Sequence, residues 1–239
     1  MNRIDLNAIA REVKARGYFP SFERYRYAFA PEDVQRVLLA IGQSRTPRFV
    51  LDEDNRFAYG QFARFLHGDR SFCALDPYTG KTKPGNLCRG IFLAGSTGTG
   101  KSWCLEIMNA YASLCGFRIR FSNERDPKLF TITLVRADEI TAEFARSGSI
   151  ERFRNMRVLG IQDLGQEPEE TLYMGNRLNV LAQLIEFRGD RSDYLTFFTS
   201  NLRLNGEKMQ ARYGDRVVSR LSEMCNYLEI RGKDRRTTL

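Results

Sequence analysis

The stretch Gly90-Ile91-Phe92-Leu93-Ala94-Gly95-Ser96-Thr97-Gly98-Thr99-Gly100-Lys101-Ser102 decides the fold of this chain. From Gly95 onward it matches G-x-x-x-x-G-K-[ST], the phosphate-binding loop, at every fixed position. Each fixed residue answers a chemical need. Gly95 and Gly100 let the backbone turn sharply and bring its N–H groups close to phosphate oxygens. Lys101 sets a point charge against the β- and γ-phosphates of a nucleotide, and Ser102 offers a hydroxyl to magnesium. Ser96, Thr97, Gly98 and Thr99 complete the cradle. The flanks agree: Ile91–Ala94 reads as a buried strand and Ser102–Cys115 as a helix, whose N-terminus adds partial positive charge at the phosphates.

Working outward, 239 residues with 42% hydrophobic and 28% charged residues describe an ordinary soluble globular chain of one or two domains. The formal net charge is +8, and arginine far outnumbers lysine. Guanidinium groups fork onto phosphates and stack on bases, so nucleic acid is the natural partner, with a generally basic surface as the equal alternative. None of the 5 cysteines forms a C-x-x-C pair. Cys104, Cys115 and Cys225 fall in helical patterns and read as reduced packing residues. His67 makes no zinc site with Cys73 and Cys88 at their spacings. The N-terminus lacks an apolar signal core and no apolar run approaches about 18 residues, so the expectation is a cytoplasmic protein with no membrane partner.

Ile4, Leu6, Ile9 and Val13 lie on one face of a short helix that Gly17 ends. Tyr18 to Phe29 interleaves aromatics with arginines. It reads either as a surface that stacks on bases or meets a partner, or as a small aromatic core. Pro31-Glu32-Asp33 opens a helix to Ile41 with acids in its first turn, and Asn55 to Leu66 is a further helix. Asp69 to Asn86 carries Asp-Pro, Thr-Gly and Pro-Gly, the vocabulary of turns. The expected division is a small, mainly helical region for partner or DNA binding at 1–70, a linker at 71–89 and an α/β domain at 90–239. In the last, strands at Ile91–Ala94, Phe117–Phe121, Thr131–Arg136, Val158–Ile161, Tyr194–Thr199 and Tyr227–Ile230 alternate with helices. The helices are expected at Ser102–Cys115, Asp138–Ser147, Asn176–Arg188, Gly206–Tyr213 and Asp215–Met224. Such alternation argues for a parallel sheet.

Three later positions complete a candidate site. Asp163 follows the apolar run Val158–Ile161 and so stands at the carboxyl end of a buried strand, where ligands gather in open α/β sheets. A turn or cap aspartate is its structural alternative. Tyr194–Thr199 ends in Ser200-Asn201, whose amide is placed to orient a water near a γ-phosphate or simply to shape a turn. Arg216 and Arg220 are four residues apart on one helix face. Either is a candidate finger reaching a neighbour's nucleotide, or a surface salt bridge worth little.

The order of these motifs resembles the AAA+ ATPases of the DnaC/IstB type, bacterial replicative helicase loaders and transposition helpers. The residues that carry it are Gly95–Ser102, the strand ending in Gln162-Asp163-Leu164-Gly165, Thr199-Ser200-Asn201, and Tyr213-Gly-Asp-Arg-Val-Val-Ser-Arg-Leu-Ser-Glu-Met-Cys225. The last string discriminates most, since many superfamilies share the phosphate loop. The resemblance implies a five-stranded parallel AAA+ sheet with no helical lid, the chain ending soon after Ile230. It implies ATP bound with Mg2+ by Ser102 and Asp163, catalysis by Asp163 and Asn201, and Arg220 or Arg216 acting across a homo-oligomer that forms on ATP. It also implies DNA as a ligand, single-stranded or duplex with single-stranded DNA the expectation, and a DnaB-type helicase or a transposase as protein partner. One departure matters: the family carries two adjacent acids where this chain has Gln162-Asp163. An amide is a poor substitute for a carboxylate beside a divalent cation. Three outcomes are open: Asp163 serves magnesium and catalysis is weak, Ser102 and the phosphates hold the ion with Asp163 as base, or the chain binds ATP as a switch and hydrolyses it slowly, with reduced hydrolysis as the expectation. A small-molecule kinase wants a lid and an acceptor pocket, whereas the residues after Asn201 read as an arginine-bearing helix and a strand.

Overall fold

The computed structural model describes residues 5–15, 22–25, 30–121, 124–191 and 193–236. Ile4 of the first predicted helix, and Tyr18 to Ser21 and Arg26 to Phe29 of the aromatic–arginine stretch, lie outside the described residues. The chain begins with α1 (Leu6–Ala15), β1 (Phe22–Tyr25), α2 (Pro31–Arg45), α3 (Arg56–His67), β2 (Cys73–Leu75) and β3 (Thr82–Pro84). There follow β4 (Gly90–Ala94), α4 (Lys101–Leu114), β5 (Arg118–Phe121), β6 (Lys128–Leu129), β7 (Thr133–Arg136), α5 (Ala137–Ser147) and α6 (Glu151–Arg154). The rest is β8 (Val158–Leu164), β9 (Thr171–Tyr173), β10 (Asn176–Leu178), α7 (Val180–Gly189), β11 (Leu195–Ser200), α8 (Glu207–Met224) and β12 (Cys225–Glu229).

The apolar runs form the centre of a sheet ordered β3-β2-β12-β4-β11-β8-β7. Its five strands β12-β4-β11-β8-β7 are mutually parallel, which is the expected core. Both faces are covered, so the central strands are apolar at successive positions rather than alternating. Ile91 and Leu93 of β4 pack with α3 and α4, while Phe92 and Ala94 face the core of α5, α7 and α8. On the first face Phe62 of α3 stacks on Phe197 of β11 with ring centroids 5.6 Å apart. Residues of α2 and α3 therefore share one core with α4 and the sheet. Among the described residues, no helix is long and apolar enough to cross a membrane.

Local patterns explain the departures. Phe117–Phe121 is a strand, but it leaves the parallel sheet: β5 pairs antiparallel with β1 and β6. Its alternation of Arg118, Ile119, Arg120 and Phe121 suits a strand buried on one face only. The turn-rich stretch read as linker holds the hairpin β2–β3, and β2 pairs antiparallel with β12. Asp76 closes that hairpin by accepting the N–H groups of Tyr78 and Thr79 at 3.1 and 2.9 Å. The helix expected from Asn176 starts later because Asn179 caps it, its side chain accepting from Ala182 N–H at 2.9 Å. The two helices expected at 206–224 form α8, kinked at Gly214.

His67 closes α3, with Nε2 2.7 Å from the Tyr111 hydroxyl and its ring edge-on to Phe117. Cys104 and Cys225 are buried packing residues, and Cys115 is partly buried. Arg188 of α7 is 1% exposed. It donates to the Thr196 hydroxyl and to the carbonyls of Phe153, Arg154, Met156 and Leu195, pinning α7 to the sheet.

Candidate nucleotide-binding site

The phosphate loop joins the carboxyl end of β4 to the N-terminus of α4. Two of its glycines are required by geometry. A Cβ on Gly95 would lie 2.3 Å from the Ile230 carbonyl oxygen, and Gly100 caps α4 at φ 97°. Thr99 Oγ1 donates to the Ser96 carbonyl at 2.9 Å. Lys101 Nζ donates to that same carbonyl at 2.8 Å and to Asn201 Oδ1 at 2.5 Å. The end of β11 thus delivers Asn201 directly to the loop lysine.

Asp163 sits in β8 with φ 58°, a backbone that aspartate tolerates better than most residues. Its N–H donates to Thr199 Oγ1 at 3.0 Å, locking β8 to β11. Its Oδ2 accepts from Arg136 at 3.1 Å. Arg136, at the carboxyl end of β7, also pairs with Asp138. Its role was legible only in the rule that carboxyl ends of parallel strands converge on the ligand. Gln162 turns the other way and donates to Glu106 of α4 at 3.1 Å, and Glu106 is also paired with Arg45 of α2.

These elements enclose a cleft of about 700 Å³, lined by Thr97–Trp103, Asp163 and Asn201, by residues between Thr46 and Tyr59, and by Gly232, Lys233, Arg235 and Arg236. The size suits a nucleotide. Gln162 does not line it, so Asp163 is the carboxylate on the strand side. Ser102 and Asp163 are oxygen donors on one cleft, the donor type that magnesium takes, with one or two carboxylates beside phosphate oxygens. The donor set fits the ion. Arg216 and Arg220 are not brought to the cleft. Arg216 pairs with Glu186 at 3.1 Å, and Arg220 pairs with Asp190 at 2.5 Å and Glu223 at 3.0 Å. Other arginines of this basic chain also have local partners: Arg120 with Glu23, Arg152 with Glu143, Arg154 with Glu151, Arg157 with Asp193, and Arg118 with the Pro127 carbonyl.

Burial pushes the Lys101 ammonium down to about 8; Asp163 opposes that shift and Arg236 adds to it. Bound phosphates favour the charged form, so above that pH the free protein must take up a proton in order to bind. Nucleotide affinity is therefore expected to be level below about pH 8 and to fall toward about tenfold per pH unit above it. Titration by the fluorescence of Trp103, the single tryptophan of the chain, reads this out. Affinity that stays level through about pH 9.5 contradicts it.

No protein-family model matches the chain. No curated protein matches it. Solved structures do. A protein described as a primosome component from Streptococcus pyogenes serotype M3 is 20% identical, aligned over 80% of this chain and 87% of its own, with a TM-score of 0.54. The DnaC helicase loader is 16% identical over 77% of this chain and 94% of its own, with a TM-score of 0.51. At such identities the likeness is one of fold alone: the chain shares the fold of these two structures.

Proposed function

We propose, from the DnaC-type AAA+ fold of this chain and the chemistry of its cleft, that the protein binds ATP with magnesium, self-assembles on it, and acts on single-stranded DNA as a replicative helicase loader. The observation that carries this reading is the convergence of Lys101, Asn201 and Asp163 on one cleft from three separate strand ends. Lys101 would receive the β- and γ-phosphates, and Ser102 and Asp163 would hold magnesium, which would neutralise charge on the phosphates. Asn201 orients the attacking water, and Asp163 takes its proton. Arg220 or Arg216 would reach the cleft of a neighbouring copy, exchanging its pairing with Asp190 and Glu223, or with Glu186, for the transferred phosphoryl. The net charge of +8 supports a polyanionic ligand, and a DnaB-type helicase is the protein partner this reading implies.

A second reading, a nucleotide switch with little hydrolysis, is favoured by a specific pair of contacts. Arg136 engages the Asp163 carboxylate, and Gln162 is committed to Glu106. In that reading ATP binding drives assembly and hydrolysis is slow.

The test is anisotropy of a labelled single-stranded oligonucleotide, with and without Mg·ATP, over a salt series, with sedimentation of the same samples. The expected result is tighter binding and a larger species with ATP, weakening steeply with salt as counterions compete for the phosphates. DNA binding indifferent to nucleotide and salt overturns the reading.

A further inference from the structure

Beyond β12 the chain doubles back over the phosphate loop. Ile230 N–H still donates to the Ala94 carbonyl at 2.8 Å, and Arg231 N–H donates to the Asp54 carbonyl at 3.1 Å. The backbone then turns at Gly232, φ 96°, hard against the Asp54 carboxylate. Asp234 lands on the loop itself: a Cβ on Gly98 would lie 1.9 Å from Asp234 Oδ1. Arg235 N–H donates to the Gly98 carbonyl at 3.0 Å. The Arg235 guanidinium meets Asp52 with two N–H···O bonds of 2.8 Å each. This fork-on-carboxylate pairing is among the strongest polar contacts a surface can make.

Asp52 is itself held in place. Its N–H donates to Asn55 Oδ1 at 3.0 Å, and Asn55, 3% exposed, donates to the Val50 carbonyl at 2.9 Å. The fork therefore ties together segments 183 residues apart in sequence, on the cleft that holds Lys101.

We propose that residues Gly232–Arg236 are part of the nucleotide site: the Asp52–Arg235 fork straps them onto the phosphate loop, and Arg236 brings the phosphates a second cation beside Lys101. This rests on the ATP-binding reading above. Arg236 and Lys101 line the same cleft, so a polyanion entering it meets two cations. The fork then governs nucleotide exchange, because the strap leaves the loop only when the fork opens.

The experiment is stopped-flow release of a fluorescent ATP analogue from the full chain, with equilibrium titration of ATP by Trp103 fluorescence. Asp52→Asn and Arg235→Ala are each expected to speed release about tenfold, the double variant no more than either alone, since they remove one shared contact. Arg235→Lys keeps the charge without the fork and falls between, which separates loss of the strap from loss of folding. Arg236→Ala is expected to weaken ATP binding about tenfold, the worth of one charge-assisted contact. Release and affinity at wild-type values in these variants, with the wild type binding ATP, overturn the strap and leave the ATP reading intact. Additive effects of Asp52→Asn and Arg235→Ala overturn the fork. A wild type that does not bind Mg·ATP removes the ATP reading and the strap with it.

Discussion

Lys101→Ala is expected to weaken ATP binding by about 100-fold or more while leaving the nucleotide-free protein folded. Lys101 is 5% exposed, and in the free protein its ammonium is held by the Ser96 carbonyl and Asn201 Oδ1. Contacts of this ammonium with phosphate would be charge-assisted, worth about 1.5–3 kcal/mol each, and two of them would amount to two or more orders of magnitude in affinity. Removing a partly desolvated cation costs the fold little, since burial already disfavours its charge. Thermal melts separate the two effects. The unliganded melting temperature is expected to stay within a few degrees of wild type, and the upward shift that saturating ATP gives the wild type is expected to vanish. A variant that still shifts as the wild type does disposes of Lys101 as the phosphate lysine.

The second large effect concerns turnover. Asp163→Asn is expected to lower kcat by about 10²–10⁴-fold and to raise the magnesium concentration needed for half-maximal activity, since the same carboxylate is proposed to hold the ion and to take the proton of the attacking water. The carboxylate lines the cleft, and its neighbour Gln162 does not. Arg136 on Oδ2 and Thr199 on the backbone N–H hold Asp163 in a left-handed conformation that the strand alone would not choose. Gln162→Asp sharpens the result. It restores an acid pair in sequence, but the side chain at 162 is turned onto Glu106 and away from the cleft, so kcat and the magnesium requirement are expected to stay within about threefold of wild type. Steady-state assays over a magnesium series decide both. An Asp163→Asn enzyme with wild-type turnover removes Asp163 from catalysis, and a Gln162→Asp enzyme with a clear gain shows that the amide does limit the rate despite facing Glu106.

Much of this site is legible in the residues because its parts are local. Gly95–Ser102 is one loop between one strand and one helix, and its type is written in consecutive positions. Asp163 and Asn201 each follow an apolar run, and a parallel sheet sends every such strand end to the same edge. The five-stranded core was readable for a related reason: strands buried on both faces are continuous apolar runs. The strand at Arg118–Phe121 misled because its sequence shows that it is a strand but not which strand it pairs with.

The sequence by itself determined the phosphate loop, the strand that bears Asp163, the strand that ends at Asn201 and the α/β alternation that joins them. Tertiary structure alone decided which way Gln162 faces, that Arg136 meets Asp163, and that residues 232–236 return to the loop. The physical reason is range. Backbone propensity and hydrophobic period act over a few residues, whereas the Arg235–Asp52 fork spans 183 positions and exists only because the sheet and α3 bring its two ends within hydrogen-bond reach.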